Sequence, residues 1–333
     1  MRKLLATFFL ILLVLLAVGA WLAQDWQRFV ESPVNPDGEL RLWLAPGSSF
    51  NSLVGQLEAL GLARPTWHWR AWGRLEQPSL KAGEYRIPTG SRLADLLAVL
   101  ESGQVVEHRL TIVEGWTTAR LRSQLAADPR LRPVSAQLEA SELMERLGCP
   151  GCAAEGRFLP ETYFFVRGSS DLELLERAHR AMNETLAAAW QGRQPDLPLA
   201  SPDELLILAS IIERETGQAG ERAKVAGVFV RRLQIGMRLQ TDPTVIYGMG
   251  DDFDGRLLRV HLRQDHPWNT YTRHGLPPTA IALPGRAAIE AAANPAAGTA
   301  LYFVARGDGS HHFSDSLEEH NRAVNRYIRG RQR

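Results

Sequence analysis

"SPDELLILASIIERET", residues 201–216, holds a complete helix signal and an apparent contradiction. Ser201 is placed to cap, Pro202 suits the first helical position, and Glu204, three after the cap, completes a capping box. The run LLILASII is apolar on every side, so the helix belongs in a core. It should stop near Gly217. Yet it ends in Glu213 and Glu215, and burying an unpaired carboxylate costs several kcal/mol. Residues two apart on a helix point about 200° from each other, so the two glutamates cannot share a face. Glu213 continues the line of Leu206 and Ala209; Glu215 continues that of Leu208 and Ile211. Arg214, Arg222 and Lys224 are candidate partners for one of them, leaving the other to face a cleft. A structural ion pair for both is the plain alternative.

With 333 residues, 45% apolar and 23% charged, the chain has room for two ordinary globular domains. A formal net charge of +1 without a basic stripe argues against a nucleic-acid partner. At the N-terminus, Arg2 and Lys3 precede an uncharged run over residues 4–23. About 20 apolar residues cross a bilayer as a helix, whereas a cleaved signal has an apolar core of roughly 7–15. This run is longer, reaches the interface residue Trp21, and has no cysteine near residue 20. An uncleaved single-pass inner-membrane anchor is the reading over residues 1–25, with bilayer contact at 4–23. The basic residues before the span place the N-terminus in the cytoplasm and the remainder in the periplasm. The two cysteines, Cys149 and Cys152, sit in a Gly/Pro turn, CPGC. A local structural disulfide is the plain reading in an oxidising compartment, and no further zinc ligands lie nearby.

Residues 26–39 read as a polar linker. Beyond it a pattern recurs: RLWLAPGSSFNSLVGQL, YRIPTGSRLADLLAVL and HRLTIVEGWTTARLRSQL each give a strand, a glycine and an amphipathic helix. Counting from Gly47, Gly90 and Gly115, leucines fall six and ten positions later, on one helical face. Ser49, Ser91 and Thr117 are the expected caps. Residues 40–104 then order as strand, helix, helix, strand and a trailing helix, which resembles a LysM-like βααβ domain. Trp67, Trp69 and Trp72 in it suit core packing or stacking on sugars. Residues 105–330 form a larger mixed α/β domain: alternating short strands and helices to residue 200, then the 201–216 helix and a second helix at 221–236. Loops and short strands follow Gly236, then an alanine-rich helix (287–295), a buried strand (300–305) and a final helix, Leu317 to Ile328. The fold class is α+β.

After the glutamates comes a region dense in side chains that suit sugars. Gln240, Thr241, Asp242 and Thr244 offer donors and acceptors beside the ring of Tyr247; Asn269, Thr270 and Tyr271 repeat the mixture before the stiff GLPP turn. ASIIERET, LQTDPTVIYG, YTRHGLPPTAIALPG and the C-terminal LYFVA with SHHF and EHN, in this order, resemble the YceG-like family, the membrane-anchored endolytic murein transglycosylases of bacteria. EGRFLPETYFF, residues 155–165, fits the same family pattern, with Glu161 as its acid. Several separated motifs in order are far more specific than one short pattern.

The resemblance implies that Glu215 is the catalytic carboxylate and that no cofactor is needed. An ordinary glycosidase uses two carboxyl groups. A lytic transglycosylase replaces water with the C6 hydroxyl of the substrate, so one group acts as acid and then as base. The apolar surroundings would raise its pKa for the acid step. Glu213 takes a supporting role. The implied partners are peptidoglycan glycan strands, the bilayer and, through the family, peptidoglycan synthases and division proteins. A non-catalytic wall-binding scaffold is the competing class of function, and a muramidase using water the competing chemistry. A metal site from SHHF, His320 and the nearby acids is disfavoured, because adjacent histidines diverge and no H-E-x-x-H is present.

Overall fold

The computed structural model describes residues 2–35, 38–62 and 67–328. Parts of the linker and of the RPTWHWRAWG segment lie outside these residues. The chain divides into two compact units, residues 1–108 with 165–168, and residues 109–164 with 169–333.

In the first unit, α1 (Arg2–Glu31) is long and apolar enough to cross a membrane by length and composition. The helix does not end with the apolar run. It continues through half of the expected linker, and its last turns pack on the unit: Asp25 meets His68 at 2.9 Å, and the Phe29 ring meets Trp69 edge-on at 5.1 Å. Next come β1 (Leu40–Leu44), α2 (Phe50–Ala59), α3 (Trp67–Glu76), β2 (Gly83–Ile87) and α4 (Leu93–Ser102). β1 and β2 pair antiparallel, Leu40 opposite Ile87 and Leu44 opposite Gly83. This is the βααβ order with a trailing helix. Trp69 and Trp72 are buried in its core, while Trp67 is exposed.

The glycine repeat is a structural device. Gly47, Gly90 and Gly115 all hold positive φ, between +75° and +80°, which a residue with a Cβ adopts at a cost. The leucines six and ten places on are all buried. Ser49 and Thr117 cap as expected, accepting from the N–H groups of Ser52 and Arg120. Ser91 does not cap. Its hydroxyl donates to the Pro88 carbonyl, and the role at α4 falls to Asp95, which accepts from the Arg92 N–H at 2.9 Å.

The second unit takes in most of β3 (Glu107–Thr111) and of β4 (Thr162–Val166), with α5 (Thr118–Ala127) and α6 (Ala140–Arg146) between them and α7 (Asp171–Gln191) after them. α8 (Pro202–Glu215) and α9 (Arg222–Gln234) follow. The stretch after Gly236 carries helices where strands were expected: α10 (Asp242–Met249) and α11 (Arg259–Arg263). Asp242-Pro243 is itself a helix start, with proline where its missing N–H costs nothing. α12 (Arg286–Ala293), β5 (Tyr302–Ala305), β6 (His311–Ser314) and α13 (Leu317–Tyr327) complete the unit. β5 pairs antiparallel with β6 and is half-buried, less covered than its apolar sequence suggests. With only two-stranded sheets among the described residues, the architecture is α+β and mostly helical.

α8 lies at the centre, packed against α7, α9, α10 and α12. Leu205, Leu206, Leu208, Ile211 and Ile212 are each at most 2% exposed. At about 1.5–3 kcal/mol for each side chain buried, their transfer contributes on the order of 10 kcal/mol. Ser201 caps the helix, accepting from the Glu204 N–H. The Glu204 carboxylate reaches one residue past the cap, to the Ala200 N–H at 2.6 Å, and not to Ser201. Cys149 and Cys152 are joined in a disulfide after α6.

Candidate functional site

The two glutamates at the end of α8 point apart and meet different fates. Glu213 accepts from the Gly285 N–H at 2.9 Å and faces Arg222, whose Nη2 lies 3.7 Å away. Its side chain is 6% exposed. Burial pushes its pKa up and the charge of Glu114 adds to this, against Gly285 and Arg222. Glu213 therefore ties α8 to the start of α12, and its cation is Arg222. Arg214 instead donates to the Gly115 carbonyl at 3.2 Å.

Glu215, the last residue of α8, is half-buried and forms no ion pair among the described residues. The Thr241 hydroxyl donates to Oε1 of Glu215. Desolvation of the carboxyl pushes its pKa up. The Thr241 hydrogen bond opposes that, Asp242 reinforces it, and His311 and Arg232 oppose it. The result is a carboxyl biased toward its protonated form and held by one hydroxyl.

Thr241 belongs to a threonine network that fixes the turn before α10. Its N–H donates to the Thr270 hydroxyl at 3.1 Å, and the Thr244 hydroxyl donates to the Thr241 carbonyl at 2.8 Å. Thr244 and Thr270 share a hydrogen bond at 2.9 Å. Gln240 enters this turn with φ +49°, uncommon for a residue with a side chain, and its N–H binds the Thr270 carbonyl. Tyr271 donates to Asp242 at 2.5 Å. Burial, and then that carboxylate, push the Tyr271 phenol far up, so it remains a donor.

The structure thus gathers Glu215, Gln240, Thr241, Asp242, Thr244, Thr270 and Tyr271 in one place, with different duties. Gln240 and Asp242 are exposed. Thr244, Asn269 and Thr270 are at most 2% exposed, and the loop itself takes up their polar atoms. The Asn269 amide donates to the carbonyls of His261, Leu262 and Gln264 and its oxygen accepts from the Tyr271 N–H. These side chains build the wall and do not present groups to a ligand. Glu161 stands apart from this network, paired at 2.8 Å with Arg286 on α12.

A cavity of about 650 Å³ opens alongside. Trp116, Arg120, Glu155, Arg214, Tyr247 and Trp268 are among its lining residues. Glu215 does not line it. Arg214 and Pro243, the sequence neighbours of Glu215 and Asp242, do. Tyr247 is therefore a wall of this cavity, tilted against Trp268 at 5.8 Å between ring centres. Among the described residues no group of three or more histidines, cysteines or acids is arranged to hold a metal ion. His311 binds Glu221 at 2.7 Å, and His320 stacks on Tyr302 at 5.3 Å.

The profile of the YceG-like family matches residues 42–326. The chain belongs to the YceG-like family. A relative from Bacillus subtilis (strain 168), named endolytic murein transglycosylase, is 29% identical over 316 residues, covering 89% of this chain and 87% of its own length. One of the same name from Streptococcus pneumoniae serotype 2 is 26% identical over 357 residues, covering 96% of this chain, which spans 64% of that protein. A crystal structure of a yceG-like protein from Listeria monocytogenes matches with a TM-score of 0.56 at 27% identity, over 86% of this chain and 99% of that one.

In this YceG-like chain a further half-buried acid, Glu155, stands at the cavity, though the motif over 155–165 singles out Glu161 instead. Its Oε1 accepts from the Thr118 N–H at 3.0 Å and from the Thr118 hydroxyl at 3.2 Å. The Tyr247 hydroxyl donates to Oε2 at 3.3 Å. Burial raises the Glu155 pKa against these bonds. Gly156 beside it holds φ +83°, and a Cβ there would lie 2.6 Å from the Ala280 Cβ. A glycine forced by both torsion and space marks the acid beside it as fixed.

Proposed function

We propose that this chain is an endolytic peptidoglycan lytic transglycosylase and that Glu215 is its catalytic residue. It cuts the β-1,4 bond between N-acetylmuramic acid and N-acetylglucosamine. The Glu215 carboxyl first gives its proton to the glycosidic oxygen, and the bond from that oxygen to C1 of muramic acid breaks, freeing the 4-hydroxyl of N-acetylglucosamine. The resulting carboxylate then takes the proton of the muramic C6 hydroxyl as that oxygen bonds to C1. No water is consumed, and a 1,6-anhydro end remains. The observation that carries this reading is the state of Glu215: desolvated, without an ion pair among the described residues, and held by Thr241. A raised pKa suits an acid working near neutrality. The names of the relatives support the substrate class.

The other parts of the chain fit this reading. α1 serves as the single-pass anchor of an inner-membrane protein, its N-terminus cytoplasmic and the bulk of the chain periplasmic, which confines cleavage to nascent strands. The βααβ order supports a LysM-like domain at 40–104 that positions the strand, with the catalytic domain at 105–330. Peptidoglycan synthases and division proteins are its expected neighbours.

The test digests purified sacculi with the full-length chain in detergent and weighs the products. Anhydro ends, one water lighter than hydrolysed ones, are expected from the wild type and none from Glu215→Gln. Reducing ends would mark a muramidase. Binding to sacculi without cleavage would mark a scaffold, and undiminished cleavage by Glu215→Gln would remove the residue from its role.

A further inference from the structure

The cavity lined by Arg214, the sequence neighbour of Glu215, has a chemistry that the bond-cutting reading does not use. Two guanidinium groups line it, and both are moored on consecutive residues of one turn: Arg214 donates to the Gly115 carbonyl, and Arg120 lies 4.8 Å above the Trp116 ring. Neither has a carboxylate partner among the described residues, and both are exposed. Trp116, Tyr247 and Trp268 supply apolar walls, and at about 650 Å³ the space falls within the size range of small-ligand pockets. Two acids also line the cavity, Asp251 and Glu155. Asp251 is exposed to solvent, and both oxygens of the Glu155 carboxyl are already engaged, Oε1 by the Thr118 N–H and hydroxyl and Oε2 by the Tyr247 hydroxyl.

Paired guanidiniums over aromatic walls select a planar anion attached to an apolar body. The sugar rings of a wall glycan are uncharged. Its anionic part is the peptide arm carried by muramic acid through the lactyl ether. We propose that this cavity is a subsite for that carboxylate-bearing peptide arm, with Arg120 and Arg214 binding the carboxylate and Trp116 and Tyr247 packing on the peptide. The proposal rests on the murein-cleaving reading. It makes the chain prefer strands that still carry peptides, because the branch is seated while the glycosidic bond is brought to Glu215.

The test uses the full-length Glu215→Gln chain in detergent, so that binding is measured without turnover. The probes are N-acetylmuramyl dipeptide and a peptide-free chito-oligosaccharide, titrated by calorimetry. Saturable binding of the dipeptide is expected, weakened about ten-fold or more by adding Arg120→Ala with Arg214→Ala, as befits hydrogen bonds to a charged group. Arg120→Lys with Arg214→Lys should recover part of it, and a melting scan of each variant checks folding. The proposal is overturned if the dipeptide binds equally to the chain with both alanines, or if the uncharged oligosaccharide loses as much affinity as the dipeptide. A Glu215→Gln chain that still cleaved sacculi would sink the catalytic reading and leave these binding results standing, so the two failures are told apart.

Discussion

The Thr241 hydroxyl donates to Oε1 of Glu215, tying the end of α8 to the residue that precedes α10. This is the only hydrogen bond found on that carboxyl among the described residues, and it favours the charged form. Removing it in Thr241→Val raises the Glu215 pKa further. An acid catalyst fails as pH rises through its pKa, so the alkaline limb of the rate profile should move to higher pH. The loosened carboxyl should also lower kcat by about ten-fold, the scale of one hydrogen bond to a charged group. Thr241→Ser should behave like the wild type. An unchanged profile for the valine variant would show that the contact does not govern the acid.

Stability should depend on pH in a defined direction. Glu155, Glu213 and Glu215 are all pushed above their ordinary value of 4.5, each chiefly by burial. Between that value and the raised ones, the folded chain holds protons that the unfolded chain has released. The contribution of these three groups to the slope of unfolding free energy with pH is therefore negative, opposite to that of His179 and His320, whose pKa values burial lowers. The stabilisation is complete below 4.5 and is lost as pH climbs through each raised value. Urea unfolding at a series of pH values, compared between wild type and Glu155→Gln, isolates one share: the variant should lose less stability than the wild type as pH rises above 4.5. A curve with the same slope in that variant would remove Glu155 from the account.

The helix at 201–216 was legible because capping residues, apolar run and terminal acids all pointed one way, and the glycine repeat was legible because each glycine precedes a helix with one leucine face. The partner of Glu213 was not. Arg214, Arg222 and Lys224 are equivalent on a sequence, and only the packing of α9 and α12 on α8 selects Arg222 and the Gly285 N–H. The threonine, asparagine and amide mixture at 240–271 signalled a polar loop correctly. Which of its groups face outward depends on burial, and Thr244, Asn269 and Thr270 turn inward. Glu155 was hidden because its partners, Thr118 and Tyr247, are brought to it by tertiary structure alone.

Glu213 should matter to folding before it matters to turnover. In Glu213→Ala the Gly285 N–H loses its acceptor, and Arg222, its side chain 13% exposed, keeps Glu114 at 3.8 Å as its one carboxylate among the described residues. A buried donor left unpaired costs about 1–3 kcal/mol. The melting temperature should fall, and less so in Glu213→Gln, which retains an acceptor. A wild-type melting curve for the alanine variant would mean that water replaces the carboxylate without loss.

Trp72 and Trp67 lie on one short helix and should respond differently. Trp72 is 6% exposed within the core of the first unit, against Phe50 at 5.4 Å between ring centres. Trp72→Ala should cost about 3–5 kcal/mol, the range for deleting a buried ring. Trp67 is 50% exposed and stacks on Trp26 of α1 at 6.0 Å, so its replacement should cost under about 1.5 kcal/mol, the scale of an aromatic pair. Calorimetry of the full chain reads both. Equal losses would contradict the burial that separates them.

Gly156 offers the sharpest test of how Glu155 is fixed. Its φ of +83° is one that side chains resist, at about 1–2 kcal/mol. A Cβ there would lie 2.6 Å from the Ala280 Cβ and 3.4 Å from Leu206 of α8, both in the packed core. The clash is with the Ala280 Cβ, which has no flexible end to move aside, so overpacking should add about 1–3 kcal/mol. Gly156→Ala should therefore be destabilised by roughly 2–5 kcal/mol, the sum of these two penalties. The strain also shifts Glu155 relative to Thr118 and Tyr247, so muramyl dipeptide affinity should fall even well below the melting temperature. Ala280→Gly, which clears the closest contact, should restore the packing share of the loss but not the torsional share. A double variant no more stable than Gly156→Ala would show that the torsion alone requires glycine here.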